Sequence, residues 1–234
     1  ILSKQKCHFF FQHNGDLRFF KKYFFSNQNL QTYTVLNGAG VNLNRFEFTK
    51  INNTRNILFA SRLLKEKGLE ILIDACKLLS NKNVNFTCTV IGQYLNDNRH
   101  IPLRIFNQIK YKNKFQCNYL GNVSDVIPYI QKADIVVLPT TYNEGIPRIL
   151  IESCSVGRPI ITTKQFGCKI AVKHEYNGII LKKVKAEELS TAILRILNNY
   201  ELKSKFSKNS RKIAENLFDE NIIINKKINK LTEC

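Results

Sequence analysis

Short apolar runs that alternate with helical patterns constrain the fold of this chain more than any other feature of the sequence. From Arg55 onward, each run is short enough for one buried strand, and the stretches between runs repeat with the period of an amphipathic helix. The predicted strands cover residues 56–60, 86–91, 115–120, 134–138, 159–163 and 178–181. Because this alternation is typical of helices packed on both faces of a parallel sheet, the sequence predicts an α/β fold with a doubly wound parallel sheet.

The predicted helices lie between these strands and after the last of them. They cover residues 69–79, 102–112 and 125–132, a helix beginning at Pro147, and two closing helices marked by Leu189 to Leu197 and by Leu202 to Leu217. The first 36 residues differ, with a strand at 7–12 and a helix at 15–25 before a Gly- and Asn-rich connector. We therefore predict an amino-terminal unit at 1–36, the connector at 37–54, the main domain at 55–215 and a tail helix at 216–234.

The charge of the chain favours anionic partners. Thirty-six basic residues stand against 18 acidic residues, which gives a formal net charge of +18. The sequence contains no zinc-finger, RNP-type or helix-turn-helix pattern, so nucleic-acid binding would depend on charge alone and is not predicted. Two interpretations stay open: a proteome-wide bias toward Lys and Asn, or attraction to an anionic membrane surface, where each nearby basic residue contributes roughly 1 kcal/mol.

The cysteines and the apolar segments indicate the compartment. The seven Cys residues include no C-x-x-C pair, and several lie in apolar runs, which favours reduced, buried thiols in the cytoplasm over disulfides or a metal site. No apolar stretch approaches the length of about 18 residues that a membrane-spanning helix needs. The chain begins at Ile1 and contains no Met, so we expect it to be part of a longer reading frame. His8, His13, His100 and His174 show no ligand spacing and are predicted to be structural or surface residues.

Two carboxylates bracket the predicted helix start. Glu144 and Glu152 are separated by seven residues, with Gly145 suited to a tight turn and Pro147 suited to the first helical position. The free N–H groups of a helix start form a natural anion site. An anion pocket with a carboxylate at each side suits a ligand that carries phosphate and hydroxyls, such as a nucleotide sugar. Acids at a helix start are also common for structural reasons alone, so this alternative stays open.

Two cations follow the first strand of the predicted sheet. Arg62 and Lys67 lie where open α/β sheets bind ligands, just outside the carboxyl end of a strand. A guanidinium and an ammonium in this place can clamp a diphosphate and stabilise it as a leaving group. A solvated basic turn is the structural alternative.

The segment 142–161 resembles the E-x7-E region of the retaining GT-B glycosyltransferases of family 4, also called group 1. The likeness continues through 157–163 and 166–169 to 175–178, and Ser61–Gly68 is similar to the family's G-R-x-x-x-x-K-G segment with Ser61 in place of the usual Gly. The resemblance implies the Rossmann-like, carboxyl-terminal half of a GT-B fold. Residues 1–36 would then be the last β–α unit of an amino-terminal domain that is otherwise missing.

The resemblance also implies roles for the residues. Arg62 and Lys67 would contact the donor's diphosphate, Glu144 would lie near the transferred sugar, and Glu152 would accept hydrogen bonds from the ribose hydroxyls. Backbone groups at Gly145, Ile146 and the neighbours of Pro147 would hold phosphate or sugar. Lining of the base pocket is predicted for Gly92, Gly121, Asn122 and Val123, with ordinary strand-end turns as the open alternative.

The implied activity is retaining transfer of a hexose or N-acetylhexosamine from a nucleotide sugar. A UDP-sugar is the expected donor, and the expected acceptor is a polyprenyl-linked glycan or a polysaccharide of the cell surface. Since the sequence has no D-x-D motif, we expect no metal and no cofactor besides the donor substrate. The expected location is cytoplasmic and peripheral, on the inner face of the plasma membrane. A second interpretation is a non-catalytic nucleotide-sugar-binding fragment that needs a partner amino-terminal domain, and the fragment alone is expected to be weakly active or inactive.

Overall fold

The amino-terminal unit is a small β–α–β element. The structure is a computed structural model, which describes residues 7–24, 31–36, 38–95, 99–103, 105–106, 115–143 and 145–232. Strand β1 (Cys7–Phe11) and strand β2 (Gln31–Val35) pair in parallel, and helix α1 (Asn14–Phe24) lies between them in the chain. The sequence prediction missed β2, because its Gln and Thr residues interrupt the apolar run on which the strand predictions depended. Its β-branched and aromatic residues nevertheless suit a strand.

The main domain contains the predicted doubly wound sheet. Its strands are β3 (Asn56–Ala60), β4 (Thr87–Ile91), β5 (Gln116–Tyr119), β6 (Ile135–Leu138), β7 (Ile160–Thr163) and β8 (Gly178–Leu181). They are all parallel and lie in the order β5-β4-β3-β6-β7-β8. The order changes direction between β3 and β6, which pair directly through Leu58 and Val136. Ligands of open α/β sheets bind in the crevice at such a switch point.

Helices cover the sheet and bury its strands. They are α2 (Leu69–Asn81), α3 (Ile127–Lys132), α4 (Arg148–Val156), α5 (Phe166–Ala171), α6 (Ala186–Leu197) and α7 (Tyr200–Ile213). Every residue of β6 and β7 is buried, as expected of strands with both faces covered. The short helix α5 was not predicted. Of the helix predicted at 102–112, Ile105 and Phe106 are helical, and residues 104 and 107–112 lie outside the described residues.

The end of the chain returns to the connector. A π-helical segment (Ala214–Phe218) follows α7 and leads to helix α8 (Glu220–Thr232). The predicted second closing helix was therefore too long, because Leu217 lies in the π-helical segment. Val41 of the connector donates its backbone N–H to Phe218 O at 2.7 Å and accepts from Glu220 N at 3.1 Å. These bonds fix the start of α8 against the connector.

A buried ion pair anchors the other end of the connector. Lys203 Nζ lies 2.8 Å from Asp134 Oδ1, and both side chains are buried. Asp134 also accepts hydrogen bonds from Asn56 N and Thr54 Oγ1, while Lys203 donates to Asn53 Oδ1. This network lies at the amino ends of β3 and β6 and so leaves the carboxyl ends of the strands for a ligand.

Candidate active site

The two loops that carry the predicted site residues are bonded to each other at the switch point. Glu66 O, in the loop after β3, accepts hydrogen bonds from Thr141 N at 2.8 Å and Thr140 Oγ1 at 3.1 Å, both in the loop after β6. Gly68 has a φ of 80°, and a Cβ added there would lie 2.3 Å from Pro139 O. Only glycine fits this contact, so the approach of the two loops depends on it.

The structure places Lys67 and Arg62 at the edge of the sheet where the prediction expects them. Lys67 belongs to a short 3-10 turn (Lys65–Lys67) and is 5% exposed, with its Nζ 5.5 Å from the ring centroid of Tyr142. Arg62 lies two residues after β3 and is exposed. A buried ammonium and an exposed guanidinium therefore lie on one short loop beside the crevice.

Helix α4 starts one residue later than predicted. Pro147 is the extended residue before the helix, with φ −61° and ψ 127°, and the helix begins at Arg148. The φ of proline suits either position, so the sequence alone could not distinguish them. Gly145 and Ile146 are half-buried at this start, and Glu144 lies outside the described residues, so its place beside the sugar stays a prediction.

Glu152 is a buried carboxylate one turn into α4. Its residue exposure is 7%, and its Oε1 lies 2.7 Å from Arg148 Nε. Burial raises the pKa of the Glu152 carboxyl above its ordinary value, and the hydrogen bond from Arg148 opposes that rise. Arg45 of the connector also lowers this pKa, whereas Asp125 of the loop after β5 raises it. Arg45, Asp125 and Arg148 were not predicted to act on this carboxylate. Arg45 and Asp125 belong to other segments of the chain, whereas the four-residue spacing of Arg148 and Glu152 on a predicted helix could have indicated their pairing.

The predicted base-pocket residues join three loops. A Cβ at Gly92 would lie 1.8 Å from Ser61 O, and Gly92 N donates to Gly121 O at 2.8 Å. The loops after β3, β4 and β5 therefore touch through Gly92, which gives this residue a packing role. Asn122 is exposed and Val123 is half-buried in the same loop, and their contact with a base stays a prediction.

The amino-terminal unit reaches the same edge of the sheet. A Cβ at Gly145 would lie 2.9 Å from Gln12 Oε1, and the ring of His13 lies 5.0 Å from the ring of Phe166. Gln12 and His13 follow β1 directly, so the carboxyl end of this strand faces the loop after β6 and the start of α5. Sequence reasoning missed both residues as site neighbours, since nothing in the local pattern indicates a contact across more than a hundred positions.

A separate cavity lies outside this crevice. The cavity, of about 490 Å³, is lined by Asn56, Thr89, Cys117, Tyr129 and Lys132, among others, and includes none of the predicted site residues.

Within the described residues, no group of three or more His, Cys, Asp or Glu side chains is arranged to hold a metal ion. None of the helices in the described ranges has the length and apolar character to cross a bilayer.

Curated proteins with similar sequences are glycosyltransferases. The chain is 28% identical over 203 residues to the N,N'-diacetylbacillosaminyl-diphospho-undecaprenol alpha-1,3-N-acetylgalactosaminyltransferase of Campylobacter jejuni. The aligned region covers 81% of this chain and 51% of that protein. It is 27% identical over 173 residues to the capsular polysaccharide biosynthesis glycosyltransferase CapM of Staphylococcus aureus, covering 74% of this chain and 44% of that protein. The chain thus spans about half the length of these relatives.

Solved structures share the fold, and a family model matches the main domain. The Anabaena protein HepE, solved in complex with UDP, superposes with a TM-score of 0.82 at 20% identity, over 96% of this chain and 63% of that one. This likeness identifies the fold as that of the GT-B glycosyltransferases. The model of the family "Glycosyl transferases group 1" matches residues 41–213, which is more than half of the chain. The protein is therefore a member of the group 1 glycosyltransferases.

Proposed function

We propose that this chain is the donor-binding part of a retaining GT-B glycosyltransferase that uses a UDP-sugar. The observation that carries the proposal is the contact of two loops at the switch point of one parallel sheet. The loop of Arg62 and Lys67 accepts hydrogen bonds through Glu66 O from the loop after β6, and that loop leads into the helix of Glu152. The two cations suit the charged phosphates of a nucleoside diphosphate, and the buried carboxylate suits its ribose hydroxyls. The transferred group would be a hexose or an N-acetylhexosamine.

The cations would stabilise the leaving group. Lys67 is nearly buried, so its ammonium attracts a diphosphate more strongly than an ammonium in bulk water. Arg62 is exposed at the same edge and can add a planar guanidinium to the phosphate oxygens. As the bond from the sugar to the diphosphate breaks, negative charge grows on the phosphate oxygens, and these cations favour that change. We propose a metal-independent reaction with no cofactor besides the donor.

The loop before α4 would hold the sugar. The N–H groups of Gly145, Ile146, Arg148 and Ile149 precede the first hydrogen bond of α4, which Leu150 N donates to Pro147 O at 3.0 Å, so they are suited to an anion or a hydroxyl. Glu144 would orient sugar hydroxyls or stabilise positive charge at the anomeric carbon. Glu152 would accept hydrogen bonds from the ribose.

The proposed acceptor is a polyprenyl-linked glycan or a polysaccharide. The Campylobacter relative is named for a diphospho-undecaprenol acceptor, and the Staphylococcus relative is named for capsular polysaccharide biosynthesis. We accordingly propose a cytoplasmic location at the inner face of the plasma membrane, where the net charge of +18 favours anionic lipids. A second candidate is a nucleotide-sugar-binding module that needs a partner domain to transfer sugar.

Calorimetric titration with UDP and GDP tests the donor site. We expect the wild type to bind UDP, and Lys67→Met and Glu152→Ala to bind it roughly ten- to a hundredfold more weakly, since each loses a charge-assisted contact. Lys227→Met, which removes an exposed lysine on α8, is the matched control and should bind like the wild type. Equal affinity of Lys67→Met and the wild type would refute the diphosphate role.

A transfer assay separates the two candidate functions. In the family that the chain resembles, groups that hold the acceptor come from the amino-terminal domain, so this chain alone is expected to bind donor and transfer sugar slowly. The assay would follow labelled sugar from UDP-glucose and UDP-N-acetylglucosamine to polyprenyl-phosphate acceptors. A rise in rate on adding a separate amino-terminal domain would favour the partner-dependent module, and full turnover by the chain alone would exclude it.

A further inference from the structure

Arg148 and Glu152 form an ion pair across one turn of α4, at the mouth of the proposed ribose site. The Nε of Arg148 lies 2.7 Å from Glu152 Oε1. The carboxylate side chain is only 9% exposed, whereas the arginine side chain is 71% exposed. The guanidinium is therefore largely in solvent, whereas the carboxylate that it binds is buried.

Two more charged residues act on the same carboxylate from other parts of the chain. Arg45, in the connector, and Asp125, in the loop after β5, approach each other with Arg45 Nη2 3.8 Å from Asp125 Oδ1. Arg45 favours the ionised form of Glu152, and Asp125 disfavours it. Since these two effects oppose each other and both side chains are about half exposed, Arg148 is the group that most favours the ionised form of this carboxyl.

The hydrogen bonds of the described residues leave one oxygen of the Glu152 carboxylate without a donor. The hydrogen bond from Arg148 uses Oε1, and no other group in the described part of the chain donates to this carboxylate. An ionised carboxylate accepts hydrogen bonds through several lone pairs and makes stronger ones than a neutral carboxyl. A protonated Glu152 would offer a donor where two ribose hydroxyls need an acceptor.

We propose that Arg148 is a positioning residue for the nucleotide sugar, because it holds Glu152 as an oriented carboxylate whose open oxygen receives the ribose hydroxyls. The inference rests on the donor site proposed above and adds a residue that touches no donor atom in this role. Arg148 acts through Glu152, so its loss should change how donor affinity depends on pH and on the ribose hydroxyls.

The direction of the pH effect follows from the burial of Glu152. Burial raises the pKa of this carboxyl, and the hydrogen bond and charge of Arg148 lower it. Without Arg148 the carboxyl of Glu152 takes up its proton at a higher pH. As the pH is lowered, donor affinity should therefore begin to fall at a higher pH in the variant than in the wild type. Well above this range Glu152 is ionised in both proteins, so the remaining difference reflects orientation alone.

The experiment is a calorimetric measurement of donor affinity from about pH 5 to about pH 8.5, a range above the ordinary pKa of a glutamate, because burial shifts the pKa of Glu152 upward. UDP-glucose and UDP-N-acetylglucosamine are the probes, because a terminal phosphate, as in UDP, titrates near about pH 6 and would obscure the result. The variants are Arg148→Gln, Arg148→Lys and Glu152→Gln. Arg195→Gln is the matched control, since Arg195 pairs with Glu175 at 2.6 Å on the surface of α6, outside the site.

We expect Arg148→Gln to weaken donor binding by roughly tenfold at the acidic end of this range and by less than about threefold near pH 8, since a charge-assisted acceptor is lost only where Glu152 is protonated. Arg148→Lys should restore part of the affinity, Glu152→Gln should bind weakly at every pH, and Arg195→Gln should match the wild type. The affinity ratio between UDP-glucose and its 2′-deoxyribose analogue should shrink in Arg148→Gln.

Two results would overturn the inference. Donor affinity in Arg148→Gln could equal that of the wild type at every pH, or it could fall by one factor at every pH while the preference for ribose is kept. Failure of the wild type to bind any UDP-sugar would instead contradict the donor site itself. Because the Arg148 side chain is largely in solvent, the variants should fold, and circular dichroism would check this.

Discussion

Lys67 owes its position in the site to the glycine that follows it. Gly68 allows the loop after β3 to approach Pro139, and the backbone of Glu66 then bonds to the loop after β6. Arg62, Lys67 and Glu152 were predicted from the sequence as donor-binding residues because each belongs to a contiguous motif, and these roles stay predictions. The sequence could not predict Arg45, Asp125 or Gln12, since their roles depend on contacts between segments far apart in the chain.

Substitution of Gly68 should cost more stability than substitution of Gly121. Gly121→Ala meets nothing within 4 Å at a φ of +69°, so only the left-handed backbone should destabilise it, by about 1–2 kcal/mol. Gly68→Ala adds a Cβ 2.3 Å from Pro139 O, so its total cost should exceed about 2 kcal/mol. Urea unfolding of both variants checks the order. UDP affinity should fall in Gly68→Ala, and equal destabilisation would contradict the proposed contact.

Elements with a strong periodic pattern were predicted to within one residue at most ends. The strands from β3 to β8 are apolar because helices cover both faces of the sheet, so their runs stand out from the sequence. Strand β2 and helix α5 were missed, since each is short and mixes polar with apolar residues. The boundary between α7 and α8 was also misplaced, because the apolar spacing continues through the π-helical segment.

The main domain should need the chain beyond the end of α7. Phe218 and Ile223, which follow α7, are almost fully buried, whereas Ile228 and Leu231 of α8 are exposed. A chain that ends at Ile213 should lose roughly 3–6 kcal/mol, since two buried side chains are worth about 1.5–3 kcal/mol each. A chain that ends at Lys227 keeps both and should unfold at nearly the wild-type urea concentration. Similar urea midpoints for the two truncated chains would show that the segment after α7 adds little to the free energy of unfolding.

The whole molecule combines a basic surface with a crevice that two units share. The loop after β6 and helix α5 belong to the main domain, and the residues after β1 approach them through Gln12 and His13. The composition of the chain gives its net charge but not the positions of the charged groups. The spacing of the motifs could not show that the amino-terminal unit faces the candidate site. Fold class is thus more predictable from this sequence than the arrangement of its two units.

Membrane attraction should depend on charge and salt. We expect the chain to sediment with vesicles that contain phosphatidylglycerol and to remain in solution with neutral phosphatidylcholine vesicles, because the net charge is +18. Raising the salt to about 0.5 M should release most of the protein, since screening shortens the reach of each charge. Binding that is equal for both lipids, or that ignores salt, would refute an electrostatic contribution to the proposed location.

The two-stranded sheet of β1 and β2 has a consequence for handling the isolated chain. Within the described residues each of these strands pairs with one other strand, so its outer edge borders no further described strand. Such edges are templates for further strands, and a sheet of two strands has little stability by itself. Purified chain should therefore self-associate as its concentration rises, and any polypeptide that supplies a matching strand should act as its solubilising partner.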